Sequence, residues 1–363
     1  MKQRVDYIDI AKGLGMLAII WGHLTNSGWH YNLVYSFHIP LFFFLSGLVF
    51  NPQKHTDFKA YVKGRVKRLF IPYVLYSIIT WSLWVAFLHF THKATETDIY
   101  SPLLQTIIAQ GSGGFLVHNV ALWFIPCLFC VEIMYFFIGK LGKAWAFIVS
   151  CAIAGLSIFC ESIWGASYSQ TLPWNLDSAF MALPFYSVGN MIGINEQWYR
   201  KAQRSKITTL TIALLLTALL QWCACKWGPI SMGHSNFGNL WVFHFRGLLG
   251  SFSTLLFSMF LASVLSYSSV IDKIINYIKW IGKNSLDVMA INNPIKGVVC
   301  TFLALLLHIE IEDASFSDIL PALLAFVITM IACTILVWII VYVRNKGWFS
   351  LSRRKIISRE TKS

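Results

Sequence analysis

The stretch DIAKGLGMLAIIWGH, residues 9–23, decides the fold class and poses the functional question. It is apolar enough to enter a membrane, yet it carries Asp9 and Lys12 near its start and His23 near its end. Ionisable side chains inside a membrane span are costly and are therefore functional candidates by default. A helix of this kind predicts an integral membrane protein with chemistry on its first span.

The composition of the whole chain supports a membrane protein. Of the 363 residues, 56% are hydrophobic and only 12% are charged, whereas soluble domains carry about 25% charged residues. Apolar runs near 20 residues recur, and each can cross a hydrocarbon core of about 30 Å. We therefore predict an all-α polytopic fold, with one transmembrane domain over 1–343 and a basic cytoplasmic tail over 344–363. About ten spans are predicted, at 8–26, 34–50, 69–90, 120–138, 145–161, 177–195, 207–227, 241–267, 285–307 and 318–343.

The net charge of +13 is explained by topology rather than by a nucleic-acid partner. With the N-terminus inside and alternating spans, the cytoplasmic segments hold 25 of the 29 Lys and Arg residues. Cytoplasmic loops of membrane proteins carry this excess of positive charge. Both termini are therefore predicted to be cytoplasmic, and the partners predicted from composition are membrane lipids.

The spacing of charges on the first helix suits a long ligand. Lys12 and His23 are eleven residues apart, so they share a face and lie about 16 Å from each other. Asp9 precedes Lys12 by three residues and can pair with it. A ligand lying along this face would place an anionic end near Lys12 and a reactive end near His23. The alternative interpretation is that Asp9 and Lys12 snorkel to the interface and that His23 is a hydrogen-bonded core histidine.

The same stretch resembles the opening helix of the membrane-bound acyltransferase 3 family, and it is closest to the fucose 4-O-acetylase-like branch. Family members begin with Asp-x-Ala-Lys/Arg-Gly and reach a histidine eleven residues after the basic residue, as Lys12 and His23 do. Four further motifs in the same order are similar to the family's: FHIPLFFFLSGLVF (37–50), RVKRLFIPY (65–73), LWFIPCLF (122–129) and GKNSLDVMAIN (282–292).

The resemblance implies transfer of an acyl group, usually acetyl, from cytoplasmic acyl-coenzyme A. The acceptor it implies is a hydroxyl of an extracytoplasmic glycan or a lipid-linked sugar, at a bacterial cytoplasmic membrane. Acetyl-coenzyme A is then a cosubstrate and not a resident cofactor. His23 is the predicted general base, because imidazole is the side chain best suited to take a hydroxyl proton near neutral pH. Lys12, Arg65 and Arg68 are the predicted ligands of the donor phosphates, and Asp9 organises that end of the site.

Three further residues, Asn292, His38 and Trp123, are weaker candidates for the site. Asn292 stands where many relatives have a histidine, so a second catalytic histidine is not predicted there. His38 can lie beside His23 across a helical hairpin. Trp123 either lines an acceptor entrance or belongs to an interfacial aromatic belt. The histidine spacings do not support a metal site.

A transporter or flippase for a small solute or lipid-linked sugar is the alternative function, since helices with buried charges also occur in transporters. The sequence leaves the acceptor, the acyl length, a covalent intermediate and the oligomeric state open.

Overall fold

The computed structural model describes residues 5–91, 98–112, 114–164, 172–309 and 314–346. Of the residues in these ranges, 82% are helical, and no strand forms among them. Residues 347–363, most of the predicted tail, lie outside them. The α-helices are α1 (Asp6–Leu24), α2 (Trp29–Tyr35), α3 (His38–Val49), α4 (Phe58–Arg65), α5 (Ile71–Thr91), α6 (Ser101–Gln105), α7 (Phe124–Ile138), α8 (Lys143–Trp164), α9 (Leu176–Ile192), α10 (Glu196–Arg204), α11 (Lys206–Trp227), α12 (Leu240–Ser263), α13 (Ser269–Lys283), α14 (Ser285–Leu307) and α15 (Ile319–Asn345).

Within the described ranges, seven segments are long and apolar enough to cross a membrane, which confirms the multi-pass all-α prediction. The other three predicted spans coincide with α1, α8 and α9. Helix α1 carries Asp6, Asp9 and Lys12, and α9 has only 17 residues. In α8, the part whose side chains the structure describes is an apolar segment, Lys143–Ser157, that is too short to count as a span by itself. The count of ten and the cytoplasmic termini stay predictions. The seven segments are Trp29–Val49, Phe58–His89, Val120–Leu141, Lys206–Trp227, Leu240–Ser263, Ser285–Leu307 and Ile319–Asn345.

Helix α1 lies at the centre of the bundle, where it packs against α3, α12, α13 and α14. Its closest neighbour is α13, an amphipathic helix that the span pattern did not predict. A side chain at Gly13 would overlap the Ile278 carbonyl, and one at Gly282 would overlap the Asp9 carbonyl. The glycines of α1 therefore allow close approach of another helix.

The predicted span 34–50 is broken into α2 and α3. Phe37 leaves helical geometry, with φ −143° and ψ −18°. The Ser36 hydroxyl donates to the Asn32 carbonyl at 2.6 Å within the last turn of α2. The break turns α3 back along α1, so that His38 begins a new helix beside the end of α1.

Loops that the alternating topology places on one side meet in the structure. The Trp174 amide donates to the Ile108 carbonyl at 2.7 Å, and the Gly111 amide donates to Asn175 Oδ1 at 2.8 Å. Asn175 Nδ2 in turn donates to the Gly233 carbonyl at 3.2 Å. These three segments are all predicted to be outer loops. We call this the outer end of the bundle, and the end that carries Lys12, Arg65 and Arg68 the basic end.

Candidate active site

A cavity of about 2240 Å³ lies inside the bundle and reaches both of its ends. Lys12 and Arg68 line it at the basic end, and Asn26 and Ser231 line it at the outer end. His23 lies on its wall between these ends. The two motif residues that share a face of α1 therefore face one continuous space.

At the basic end, three cations surround one buried carboxylate. Arg65 Nη1 lies 3.1 Å from Glu132 Oε1, and the two side chains are only 14% and 8% exposed. The charges of Arg68 and Lys12 also act on this carboxylate. The Arg65 guanidinium stands over the Tyr61 ring, 4.7 Å from its centroid. The predicted phosphate ligands are thus brought together, and their net charge favours an anion.

The local fold explains why Arg65 and Arg68 share this end. Asp57 caps α4 by accepting hydrogen bonds from the Lys59 and Ala60 amides, at 3.0 and 3.3 Å. A π-helical turn, Val66–Phe70, then joins α4 to α5. Turns of this kind often occur at functional sites. Arg65 directly precedes the turn, Arg68 lies within it, and both line the cavity.

His23 is half-buried near the C-terminal end of α1 and has two polar neighbours on α14. Lys296 Nζ donates to the His23 carbonyl at 3.2 Å. The Asn292 side chain lies beside the imidazole. His23 Nδ1 and Asn292 Oδ1 are both buried and have no hydrogen-bond partner among the described residues. A small adjustment would let Nδ1–H donate to Asn292, which would leave Nε2 as the proton acceptor.

His38 is buried and lies close enough to His23 for their charges to interact. Its Nδ1 is 2.7 Å from the Val34 carbonyl. Because a carbonyl oxygen only accepts, Nδ1 must carry a proton, and Nε2 is the acceptor in the neutral ring. The Tyr35 ring packs edge-on against His38, with centroids 4.9 Å apart. The hairpin prediction of two neighbouring imidazoles agrees with this geometry.

The remaining predicted residues take different positions. Asp9 is buried at the start of α1, does not line the cavity, and is fourteen residues, or about 21 Å, from His23. Trp123 lines the cavity and is only 7% exposed, so it does not belong to an exposed aromatic belt. A side chain at Gly111 or Gly233 would overlap its indole.

Sequence reasoning missed the site positions of Glu132, Lys296 and His118. The sequence shows the first two only as charged residues within apolar segments and does not indicate which residues they contact. His118 lies in a loop, lines the cavity and is 3% exposed. Neither of its ring nitrogens has a hydrogen-bond partner in the described part of the chain. Burial lowers the pKa of His118 to about 4, so the ring is neutral at physiological pH.

The described residues contain no group of three or more His, Cys, Asp or Glu side chains placed to hold a metal ion. Their cavity instead combines a cationic end, two neighbouring imidazoles and an uncharged polar end. This arrangement can bind an anionic group at one end and accept a proton near the other.

Comparison with known proteins gives one match. A family model described as an acyltransferase domain matches residues 5–342, nearly the whole chain. It confirms the family predicted from the motifs and does not specify the branch. No curated protein and no solved structure matches the chain.

Proposed function

The chain belongs to the acyltransferase family that this domain model describes, and we propose that it transfers acetyl from acetyl-coenzyme A to a sugar hydroxyl. The observation that carries the proposal is the single cavity lined by both Lys12 and His23. A membrane acyltransferase must bring a charged donor and an uncharged acceptor together in one space. The cationic end of the cavity is suited to the charged donor, and its uncharged polar end is suited to the acceptor.

The donor is proposed to enter at the basic end, which the excess of Lys and Arg assigns to the cytoplasm. Arg65 and Arg68 can hold phosphate oxygens through charge-assisted hydrogen bonds, and Lys12 adds a point charge on the cavity wall. The pantetheine arm would then extend along α1. Its thioester would lie near His23, about 16 Å from Lys12.

Transfer is proposed to proceed by direct attack. His23 takes the proton of the acceptor hydroxyl while the hydroxyl oxygen bonds to the thioester carbonyl carbon, and the carbonyl electron pair moves to oxygen. When the tetrahedral intermediate collapses, the C–S bond breaks and the thiolate takes the proton from His23. The neighbouring His38 and Asn292 hold the orientation of the His23 ring.

The tetrahedral intermediate carries a negative oxygen that needs a hydrogen-bond donor. Lys296 is a cation beside His23, since its Nζ donates to the His23 carbonyl at 3.2 Å. We assign it the role of stabilising this oxyanion. A donor positioned in advance in a site that excludes water typically contributes about 10²- to 10³-fold in kcat.

The acceptor is proposed to reach the site from the outer end. The cavity there is lined by Asn26, Tyr31, Ser231 and His234. Such groups form hydrogen bonds with hydroxyls. These groups support a sugar as the acceptor, which we propose to be part of an extracytoplasmic glycan or a lipid-linked sugar at a bacterial cytoplasmic membrane.

The test uses purified protein in nanodiscs with radiolabelled acetyl-coenzyme A and an extract of the host's surface glycans and lipid-linked sugars. We expect label in a glycan fraction with wild type and a loss of about 10²- to 10⁴-fold with His23→Ala. His244→Ala is the matched control, with label compared per amount of folded protein, because the His244 ring is oriented by a hydrogen bond to the Leu240 or the Met181 carbonyl, 2.9 and 3.1 Å from its two nitrogens. His244 also does not line the cavity.

Equal label with wild type and His23→Ala would remove His23 from the mechanism. Loss of label with His38→Ala alone would assign the base to His38. An absence of label with every protein, together with solute flux in proteoliposomes that needs no acyl donor, would favour the transporter alternative.

A further inference from the structure

A second cavity, of about 760 Å³, opens at the basic end beside the first. Three segments line it: 48–56, which runs from the last turn of α3 into the loop after it, the turn 139–143 between α7 and α8, and 190–194 at the end of α9. Its size is within the range of small-molecule sites, about 300–1,000 Å³. We call it the lysine cleft, after Lys140 and Lys143 on its wall.

Polar contacts hold the three segments of the lysine cleft together. Asn190 Nδ2 donates to the Phe50 carbonyl at 2.8 Å, which joins the end of α9 to the loop after α3. Lys143 Nζ donates to the Met191 carbonyl at 2.9 Å, which joins the turn after α7 to α9. The cleft is therefore formed by contacts among all three segments.

The lysine cleft is continuous with the donor end of the large cavity. Val49, Phe50 and His55 line both spaces. The His55 ring packs edge-on against Tyr61 with centroids 4.8 Å apart, and the Tyr61 ring lies under Arg65. A ligand can thus extend from the Arg65 guanidinium past His55 and into the cleft.

The chemistry of the lysine cleft indicates an anionic ligand with a flat ring. Lys140 and Lys143 supply positive charge, and none of the residues found on its wall is an Asp or Glu. The Phe50 and His55 rings are stacked, with centroids 5.6 Å apart and planes 25° apart. Burial, and then the nearby Arg65 and Lys54, lower the pKa of His55. His55 is therefore a neutral ring at pH 7, suited to stack on a heterocycle.

We propose that the lysine cleft binds the 3′-phosphoadenosine end of the acyl donor, with the 3′-phosphate on Lys140 and Lys143 and the adenine against His55. This inference rests on the proposed function, because it takes acyl-coenzyme A as the donor. It divides the donor among three places: the nucleotide in the cleft, the diphosphate at Arg65 and Arg68, and the pantetheine arm in the large cavity.

The test measures binding by titration calorimetry in phosphatidylcholine nanodiscs, with coenzyme A and 3′-dephospho-coenzyme A as probes. We expect Lys140→Ala/Lys143→Ala to weaken coenzyme A binding by roughly tenfold, since exposed ion pairs contribute modestly and two are lost. Dephospho-coenzyme A should bind wild type more weakly than coenzyme A does, and the double variant should bind both alike. Non-additivity of this kind identifies a direct interaction.

The control is Lys201→Ala/Arg204→Ala, which removes the same charge from the exposed face of α10, outside the lysine cleft. It should change coenzyme A affinity by less than about twofold, because distant exposed charges are screened. Lys140→Arg/Lys143→Arg should restore phosphate discrimination. Consumption of acetyl-pantetheine, which has no nucleotide, should be equal for wild type and the alanine variant.

Two results overturn the assignment in distinguishable ways. The lysine cleft is not the nucleotide site if wild type binds coenzyme A and the alanine double variant prefers coenzyme A over 3′-dephospho-coenzyme A as strongly as wild type does. If wild type neither binds coenzyme A nor consumes any acyl thioester, the proposed function fails and this inference fails with it.

Discussion

Replacing Glu132 by glutamine is expected to strengthen donor binding while it weakens the unliganded fold. Glu132 is the carboxylate that neutralises part of the charge of Lys12, Arg65 and Arg68. Glutamine keeps the shape of the side chain and removes only its charge. Arg65 retains its contact with the Tyr61 ring, so its guanidinium stays at the cavity wall.

The size of the effect follows from the geometry. Arg65 Nη1 lies 3.1 Å from Glu132 Oε1, so a phosphate on the other side of the guanidinium would lie about 6 Å from the carboxylate. Two like charges at this separation repel by about 0.7 kcal/mol at a dielectric constant of 80 and about 2.8 kcal/mol at 20. The mouth of the cavity lies between these limits, and we expect acetyl-coenzyme A to bind roughly tenfold more tightly.

Stability changes in the opposite direction without the donor. Removing one partner of a buried ion pair costs about 3 kcal/mol, because the other charge stays buried. Thermal unfolding in nanodiscs should give a lower Tm for Glu132→Gln than for wild type. Saturating acetyl-coenzyme A should reduce the difference in Tm between wild type and Glu132→Gln, since a ligand that binds more tightly stabilises more. Uncharged acetyl-pantetheine should leave that difference in Tm unchanged. Weaker acetyl-coenzyme A binding by Glu132→Gln would refute the reasoning and would make Glu132 the residue that positions Arg65.

Three further substitutions test other parts of the structure. His118→Leu should raise Tm, because an unpaired buried polar group costs about 1–3 kcal/mol. His244→Leu should lower Tm, because it removes a ring that donates a hydrogen bond to a backbone carbonyl, and equal shifts in thermal unfolding would contradict this. Lys296→Met should lower kcat by about 10²- to 10³-fold with coenzyme A affinity unchanged, and unaltered steady-state kinetics would exclude the oxyanion role. Gly282→Ala should reduce the folded yield by separating α1 from α13, while Gly297→Ala, with open space around it, should not, as judged by size-exclusion chromatography.

The sequence predicted those features of the site that lie along one helix. The eleven-residue spacing places Lys12 and His23 on one face of α1, and the structure puts both on one cavity. Arg65 and Arg68 are close in sequence and share its mouth. Periodicity and spacing suffice in these cases, because each pair lies on one continuous helical segment.

Contacts between helices could not be predicted in the same way. The partner of Arg65 is Glu132, which is distant in sequence, and hydropathy does not specify which charged residues meet. Asn292 reaches His23 only because α14 packs against α1. Pro40, in the first turn of α3, has no amide hydrogen to donate to the Ser36 carbonyl, so it is a local signal for the helix break at Phe37. The direction in which the break turns α3 and His38, toward His23, depends on packing against α1 and is not visible in the sequence.

The distribution of charge along the cavity accounts for the ionisable groups on a membrane helix. An acyl-coenzyme A donor carries several phosphates, and moving such charges through hydrocarbon is costly. Lys12, Arg65 and Arg68 all lie at the basic end. In the proposed complex the donor phosphates stay at this end, and only the neutral pantetheine arm extends into the cavity. The separation of Lys12 and His23, about 16 Å, then sets the depth at which the thioester meets the acceptor. Asp9 and Lys12 lie within the first two turns of α1, at the basic end of the bundle and not midway along the helix. His23 is tolerable because a neutral imidazole carries no charge into the span. On this reasoning, only the acyl group has to cross from one end of the cavity to the other.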